Sequence, residues 1–377
     1  MRPSPDLRYV LLVNRGGMYL QAGRLDQALA DGEAAVQLSA KPYHAHALLF
    51  QICQRQGRLE EAALALDRAI ERQPDRPELF RARALLVAHS HEKEGSKSTD
   101  LTPPQRALAI RDLEQAIRLE PKNRPQTAED HAERGRLLFA SGKTQEALAA
   151  YDVALRIVPD DLKALRLRTL ALLELERYDD VLAACNAFLA KGKPSADLLE
   201  VRGQARLARK DFRGAISDYT VALSLTPESA TLANRRGWAY LFSDAFKLAL
   251  ADFDMAVRLD PGLGHAYSGR GLALVSLERW RDAVADVETA VRLATTGLRQ
   301  QAYYNAARVY ALSLKFAAED VSRRGESGLP LYRRRRERAA ALLLESVRQL
   351  PADRQAPFWR DVVASDPVLR PFRPGPG

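Results

Sequence analysis

Residues 234–261 read NRRGWAYLFSDAFKLALADFDMAVRLDP, and this stretch decides the fold. It predicts two antiparallel helices that close on Pro261, a residue that cannot continue a helix and starts the next turn. Gly237 is small where the second helix must cross the first closely, and Ala249 and Ala256 serve the same need on the second helix. Tyr240 and Phe253 fill the space between. One such pair cannot bury its own apolar face, so the pattern has meaning only if it repeats.

It does repeat. Arg-Gly or a near equivalent recurs every 34 residues, at Arg134-Gly135, Arg168-Thr169, Arg202-Gly203, Arg236-Gly237 and Arg270-Gly271. Ala147, Val181, Ala215, Ala249 and Ala283 keep the same step, as do Ala154, Phe188, Ala222, Ala256 and Ala290. Pro159, Pro227 and Pro261 close their units, with Pro194 one residue late. Tyr151 and Tyr219 join Phe253 as large fillers. Gly135, Gly203, Gly237 and Gly271, with Ala147, Ala215, Ala249 and Ala283, are therefore the expected packing positions. Thr169, Phe50 and Val181 break the small-residue rule, and locally loosened or repacked units are expected there. Gly23, Gly57 and Gly142 are placed to cap first helices.

The period extends both ways. Residues 9–40 and 43–74 carry it, and a third unit, Pro77 to Pro121, holds an insertion of 13 residues. A ninth unit has Ala307, Tyr310, Ala339, Ser346 and Pro351, with about 20 extra residues. Four regions follow: 1–127, three units with a loop insertion near 90–102; 128–297, five contiguous units; 298–351, a ninth unit with an Arg-rich insertion at 315–337; and 352–377, a capping helix and a disordered tail. Thr102-Pro103-Pro104-Gln105 has the form of a capping box and marks where helix resumes after the first insertion.

Nine units in phase resemble the tetratricopeptide repeat (TPR) family over residues 9–351. The resemblance implies an all-α, right-handed superhelical solenoid that binds protein segments and does not catalyse. It also implies that first helices line the concave groove. Carried over, the groove positions are Asn14, Gln51, Arg81, Glu133, Arg136, Lys163, Arg166, Glu200, Gln204, Asn234, Arg235, Trp238, Tyr304, Asn305 and Arg308. Arg81, Arg136, Lys163, Arg166, Asn234, Arg235, Asn305 and Arg308 are the main candidates, and their basic lean suits carboxylates and peptide amides. The Lys/Asn, Asn, Lys/Arg series of chaperone-binding members is not found. Tyr304–Tyr310 and Asp366–Phe372 are similar to C-terminal units of bacterial arrays that accompany serine/threonine kinases.

Charge and chemistry narrow the function classes. Net charge is +9, yet residues 321–338 carry seven Arg against two Glu, leaving the rest nearly neutral. That is not the even basic stripe of a nucleic-acid track, so nucleic acid is the minor alternative, with the repeat portion of a larger signalling enzyme as another. The Arg-rich insertion reads as a solvated charged loop or helix start, with contact to an acidic partner as the competing reading. Arg15, Arg83, Arg134, Arg168, Arg202, Arg236 and Arg270 precede the crossing residue, and Asp31, Asp112, Asp218, Asp252 and Asp286 recur on second helices. These read as a ladder of interhelical ion pairs, each worth little if exposed.

Cys53 and Cys185 fall on apolar helix positions and show no zinc or disulfide spacing. Gly142-Lys143-Thr144 lacks the earlier glycine and preceding strand of a phosphate loop. His44-x-His46 and His89-x-His91-Glu92 lack a second ligand set. No cofactor, metal or small-molecule substrate is expected. Tyr9–Val13 is too short an apolar run for a signal or a membrane span, so no membrane partner and a cytoplasmic location are expected.

Overall fold

A computed structural model describes residues 4–39, 42–89, 101–120, 124–192 and 194–372. Every regular element among them is helical, an all-α repeat solenoid in which helix hairpins stack in chain order. Two compact units divide the chain at Arg177/Tyr178. In the N-terminal unit, α1 (Pro5–Gln21) packs on α2 (Leu25–Val36), α3 (Tyr43–Gln56) on α4 (Leu59–Arg72), α5 (Pro77–His89) on α6 (Pro103–Leu119) and α7 (Pro125–Ala140) on α8 (Thr144–Ile157). Helix α9 (Leu162–Glu174) stacks on α8.

The C-terminal unit begins with α10 (Tyr178–Leu189), which packs on α11 (Ala196–Ala208). Hairpins follow: α11 with α12 (Phe212–Leu225), α13 (Ala230–Phe242) with α14 (Phe246–Leu259), α15 (Gly264–Ser276) with α16 (Trp280–Leu293), and α17 (Arg299–Arg324) with α18 (Leu329–Arg348). Helix α19 (Ala352–Phe358) runs into a π-helical turn at Trp359–Val363, and a 3₁₀ segment, Pro367–Phe372, returns against α17. Val363 and Leu369 are fully buried there, so this segment covers the last apolar face.

The hairpins close on one steric arrangement. A Cβ on Gly135 would lie 2.6 Å from Tyr151, and one on Gly203 2.5 Å from Tyr219. On Gly237 it would lie 2.8 Å from Phe253, and on Gly271 2.6 Å from Val287. Each filler sits sixteen residues after its small residue and is wholly buried. Ala147, Ala215, Ala249 and Ala283 expose no surface. The exceptional positions are packed in their own way: Thr169 and Val181 are fully buried, and Phe50 is partly buried against the apolar cluster that holds Cys53, Ala62 and Leu66. Thr169 ties its hydroxyl to the Arg166 carbonyl at 2.8 Å, so its polar group is satisfied inside the core.

The ion-pair ladder is stronger than exposed pairs would be. The guanidinium forks of Arg15, Arg83, Arg202, Arg236 and Arg270 grip Asp31, Asp112, Asp218, Asp252 and Asp286 at 2.6–3.0 Å. These carboxylates are only 2–11% exposed, so each depends on guanidinium groups for charge compensation, Asp218 on Arg206 as well as Arg202. Several arginines also reach back to the preceding hairpin: Arg83 to Asp67, Arg202 to Asn186, Arg236 to Thr220 and Arg270 to Asp254. Arg134 and Arg168 have Ala150 and Ala184 where the forward acid would stand. They pair with Glu114 and Asp152 on the preceding second helix instead.

Caps follow the sequence. Thr102 and Gln105 form the reciprocal capping box, with the Thr102 N–H donating to Gln105 Oε1 at 2.9 Å. Gly23, Gly57 and Gly142 take φ of 72°, 77° and 74° after their first helices. In the later repeats the same turn is made by Glu176, Lys210, Asp244 and Glu278, at φ of 56°, 62°, 59° and 65°. A side chain there meets the following carbonyl, at a cost of about 1 kcal/mol each. The Ser90–Asp100 loop and the tail after Phe372 lie outside the described residues.

Two outcomes follow. Lys210→Gly and Glu278→Gly should each raise stability by roughly 0.5–1 kcal/mol in urea unfolding, by relieving left-handed strain. Arg236→Leu should cost about 1–3 kcal/mol because it strands the Asp252 carboxylate. In a double-mutant cycle, Arg236→Leu with Asp252→Leu should lose less than Arg236→Leu alone.

Candidate functional site

First helices expose the residue types from which a peptide surface is built, and the C-terminal unit shows the clearest constellation. Asn234 and Trp238 stand one turn apart on α13 and meet His265 of α15. The Asn234 side-chain amide lies 3.1 Å from His265 Nδ1, and the Trp238 indole stacks on the imidazole at 4.7 Å between centroids. Phe253 meets the indole edge-on at 5.8 Å. Phe242 continues the aromatic row at 5.7 Å from Trp238, with Phe212 6.1 Å beyond it. Phe242 is 49% exposed although it is a large apolar side chain.

Burial, and then the Arg235 charge, push His265 down to about 4, so its ring is neutral near pH 7. A neutral ring can accept from the Asn234 amide at Nδ1 and carry its proton on Nε2. Asn234 Oδ1 and Trp238 Nε1 are buried without a hydrogen-bond partner. Arg235 Nε lies 2.7 Å from Glu200 Oε1, so its charge is matched within the same face.

The sequence candidates on α17 are covered by the chain itself. The Tyr304 hydroxyl donates to Asp366 at 2.8 Å, and Arg308 Nε lies 2.9 Å from the same carboxylate. The Phe358 ring stands edge-on to Tyr304 at 5.6 Å. Asn305 is 1% exposed and accepts from Gln301 at 3.1 Å, while its own Nδ2 has no partner.

In the N-terminal unit, Arg81 forks onto Asp130 at 2.6 and 2.7 Å and reaches Glu120 at 3.2 Å. Arg136 is held by Glu133. Lys163 and Arg166 are exposed, as are Asn14 and Gln51. Arg81, Arg136, Arg235 and Arg308 thus each have a carboxylate of the same chain, and their positive charge is largely spent. A hollow of about 710 Å³ opens between α2, α3 and α4, beside Leu29, Glu33, His46, Cys53 and Arg68. Sequence reasoning named Asn234 and Trp238 but neither His265 and Phe242 nor this hollow, because these depend on neighbours from different repeats.

Chemistry beyond binding finds little to work with. The Cys53 and Cys185 thiols are buried, and burial pushes Cys185 up to about 12, far from a reactive thiolate. Gly142-Lys143-Thr144 forms the α7–α8 turn, with the Thr144 hydroxyl donating to Glu174 at 3.0 Å. No three His, Cys, Asp or Glu side chains among the described residues stand close enough to share a metal ion. His46 is buried, and His91-Glu92 lies outside the described residues. No helix among the described residues is long and apolar enough to cross a membrane.

Family models described as tetratricopeptide repeat match residues 19–86 and, in overlapping copies, 105–162, 133–197, 168–230 and 196–263. The chain belongs to the tetratricopeptide repeat family. Tetratricopeptide repeat protein 34 of Homo sapiens is 28% identical over 206 residues, covering 53% of this TPR chain and 36% of the relative. The chain therefore spans about a third of the length of that curated relative. Among solved structures, pilF of Pseudomonas aeruginosa is 17% identical and covers 60% of this chain and 95% of its own, with a TM-score of 0.44. A tetratricopeptide repeat protein from Parabacteroides merdae is 17% identical, covering 77% and 94%, with a TM-score of 0.39. YrrB, a TPR protein with an unusual peptide-binding site, is 20% identical, covering 48% and 91%, with a TM-score of 0.40. Family members of this kind serve as protein-interaction scaffolds, and that general role is this chain's.

The depressed His265 value has a testable sign. Above about pH 6.5 the ring is neutral folded and unfolded, so it contributes no pH dependence. As pH falls from there towards about 4, only the unfolded chain gains the proton, and stability drops by up to about 1.4 kcal/mol per pH unit. Urea melts at pH 7 and pH 5 should show this difference, and His265→Gln should remove most of it.

Proposed function

We propose that this chain is a non-catalytic scaffold that holds an extended peptide segment of a partner protein along its first-helix face, with carboxylates on the segment. The carrying observation is the row Asn234, Trp238, His265 and Phe242: an exposed aromatic beside the Asn234 amide oxygen and the Trp238 indole N–H, both buried without a partner. Buried polar atoms in folded proteins nearly always find a hydrogen bond, so unfilled ones along one face suit a ligand's main chain. The aromatic shelf offers apolar contact at small entropic cost. Within the N-terminal unit, the exposed Lys163 of α9 offers a cation to an acidic segment on that unit's own first helices. The basic candidates Arg81, Arg136, Arg235 and Arg308 act in this reading through matched pairs that shape the face.

The test begins with affinity capture from the native host and mapping of the partner to a peptide. Fluorescence anisotropy should then show that Phe242→Ala and Asn234→Ala each weaken binding by about tenfold, a loss typical of a central contact. Circular dichroism should stay unchanged. A partner peptide bound equally well by both variants would overturn the reading.

A further inference from the structure

Many arginines of this chain find acids; several on the last helix hairpin have none among the described residues. The hairpin of α17 and α18 carries the Arg-rich segment, and its guanidinium groups divide into two sets. Arg335 is 3% exposed, lies 3.6 Å over the Trp280 ring and donates to the Ser313 carbonyl at 2.7 Å. Arg338 forks onto Glu288 of α16 at 2.9 and 2.7 Å. These two fasten the hairpin to the preceding repeat. Arg323, Arg333, Arg334 and Arg336 are exposed, and none has a carboxylate partner among the described residues. Of the expected solvated charged loop or helix start, the structure has helix on both sides of a short 3₁₀ turn, Gly325–Gly328, so these charges stand on helices.

We propose that this basic face is a second docking surface, separate from the first-helix face, and that its occupant is an acidic segment of a partner protein. Arg338 shows the pairing mode on this very helix. Arg334 lies one turn before it on the same side of α18, so an acid supplied in trans continues the row that Glu288 begins. Arginine forks suit carboxylates in pairs, as the interhelical rungs of this chain already do.

Two other polyanions fit less well. Tight nucleic-acid binding at physiological salt draws on about six to ten phosphate contacts, more than these arginines supply. Tyr332, the aromatic next to them, is half-buried and offers no open stacking face. A membrane surface needs an apolar face beside the charges, whereas Ala339, Leu342 and Leu343 of α18 are spent in the core.

The full chain is titrated with fluorescent poly-glutamate, with single-stranded RNA homopolymer and with phosphatidylserine vesicles as competing probes. Poly-glutamate should bind with the highest affinity, weakening as salt rises. Arg333→Glu/Arg334→Glu/Arg336→Glu should lower that affinity by about tenfold or more with the helical spectrum intact, since all three side chains are exposed. Should that variant unfold, the same substitutions to Gln carry the test, with a smaller loss expected. Arg213→Glu, which reverses an exposed charge on the second helix α12 outside both surfaces, should leave poly-glutamate binding unchanged, which separates a specific surface from general charge attraction. Poly-glutamate bound equally by the charge variants, or bound less tightly than RNA or vesicles by the native chain, would overturn the proposal.

Discussion

Two helices can approach only as closely as the side chains between them allow, and that limit organises this protein. Glycine on a first helix lets an aromatic ring from the second lie directly on backbone, as Tyr219 does on Gly203 and Phe253 on Gly237. The ring gains full burial, worth on the order of 2–3 kcal/mol, and sets the separation of the pair. Alanines such as Ala215 and Ala249 keep the second helix narrow on the same side. Because the hairpin is one stacking element, its spacing propagates to the next.

The arginine beside each small residue adds direction to this packing. It is carried to the crossing by the same backbone, so its fork meets an acid one helix away and, in several repeats, a polar group on the hairpin before. A buried carboxylate that relies on one guanidinium specifies register more than it adds stability. Repeats without the forward acid keep only the backward contact, so Arg134 and Arg168 tie neighbouring hairpins together without bracing their own. The strained turns at Lys210 and its counterparts show a sequence that tolerates local cost where packing on both sides dictates the connection.

These constraints leave function to what packing does not consume. Most basic residues on first helices are neutralised by acids of the same chain, so positive charge alone is a poor guide to a site. Tyr304 and Arg308 are taken up by the chain's own Asp366. What remains open among the described residues is the aromatic row near Trp238, the exposed Lys163, and the unmatched arginines of α18.

The repeat, its period, its crossing residues, its glycine caps and the Thr102 capping box were legible in the sequence by itself. Each depends on spacing along one chain, and a recurring pattern states it several times over. The arginine rungs were legible as residue types, but their strength was not, because burial of Asp112 or Asp218 comes from helices distant in sequence. Only the tertiary structure decided which candidate charges are spent, that Asp366 folds back on α17, and that residues 315–337 build a hairpin fastened by Arg335 and Arg338. Those outcomes rest on distances between residues far apart in the chain, for which no local periodicity carries a signal.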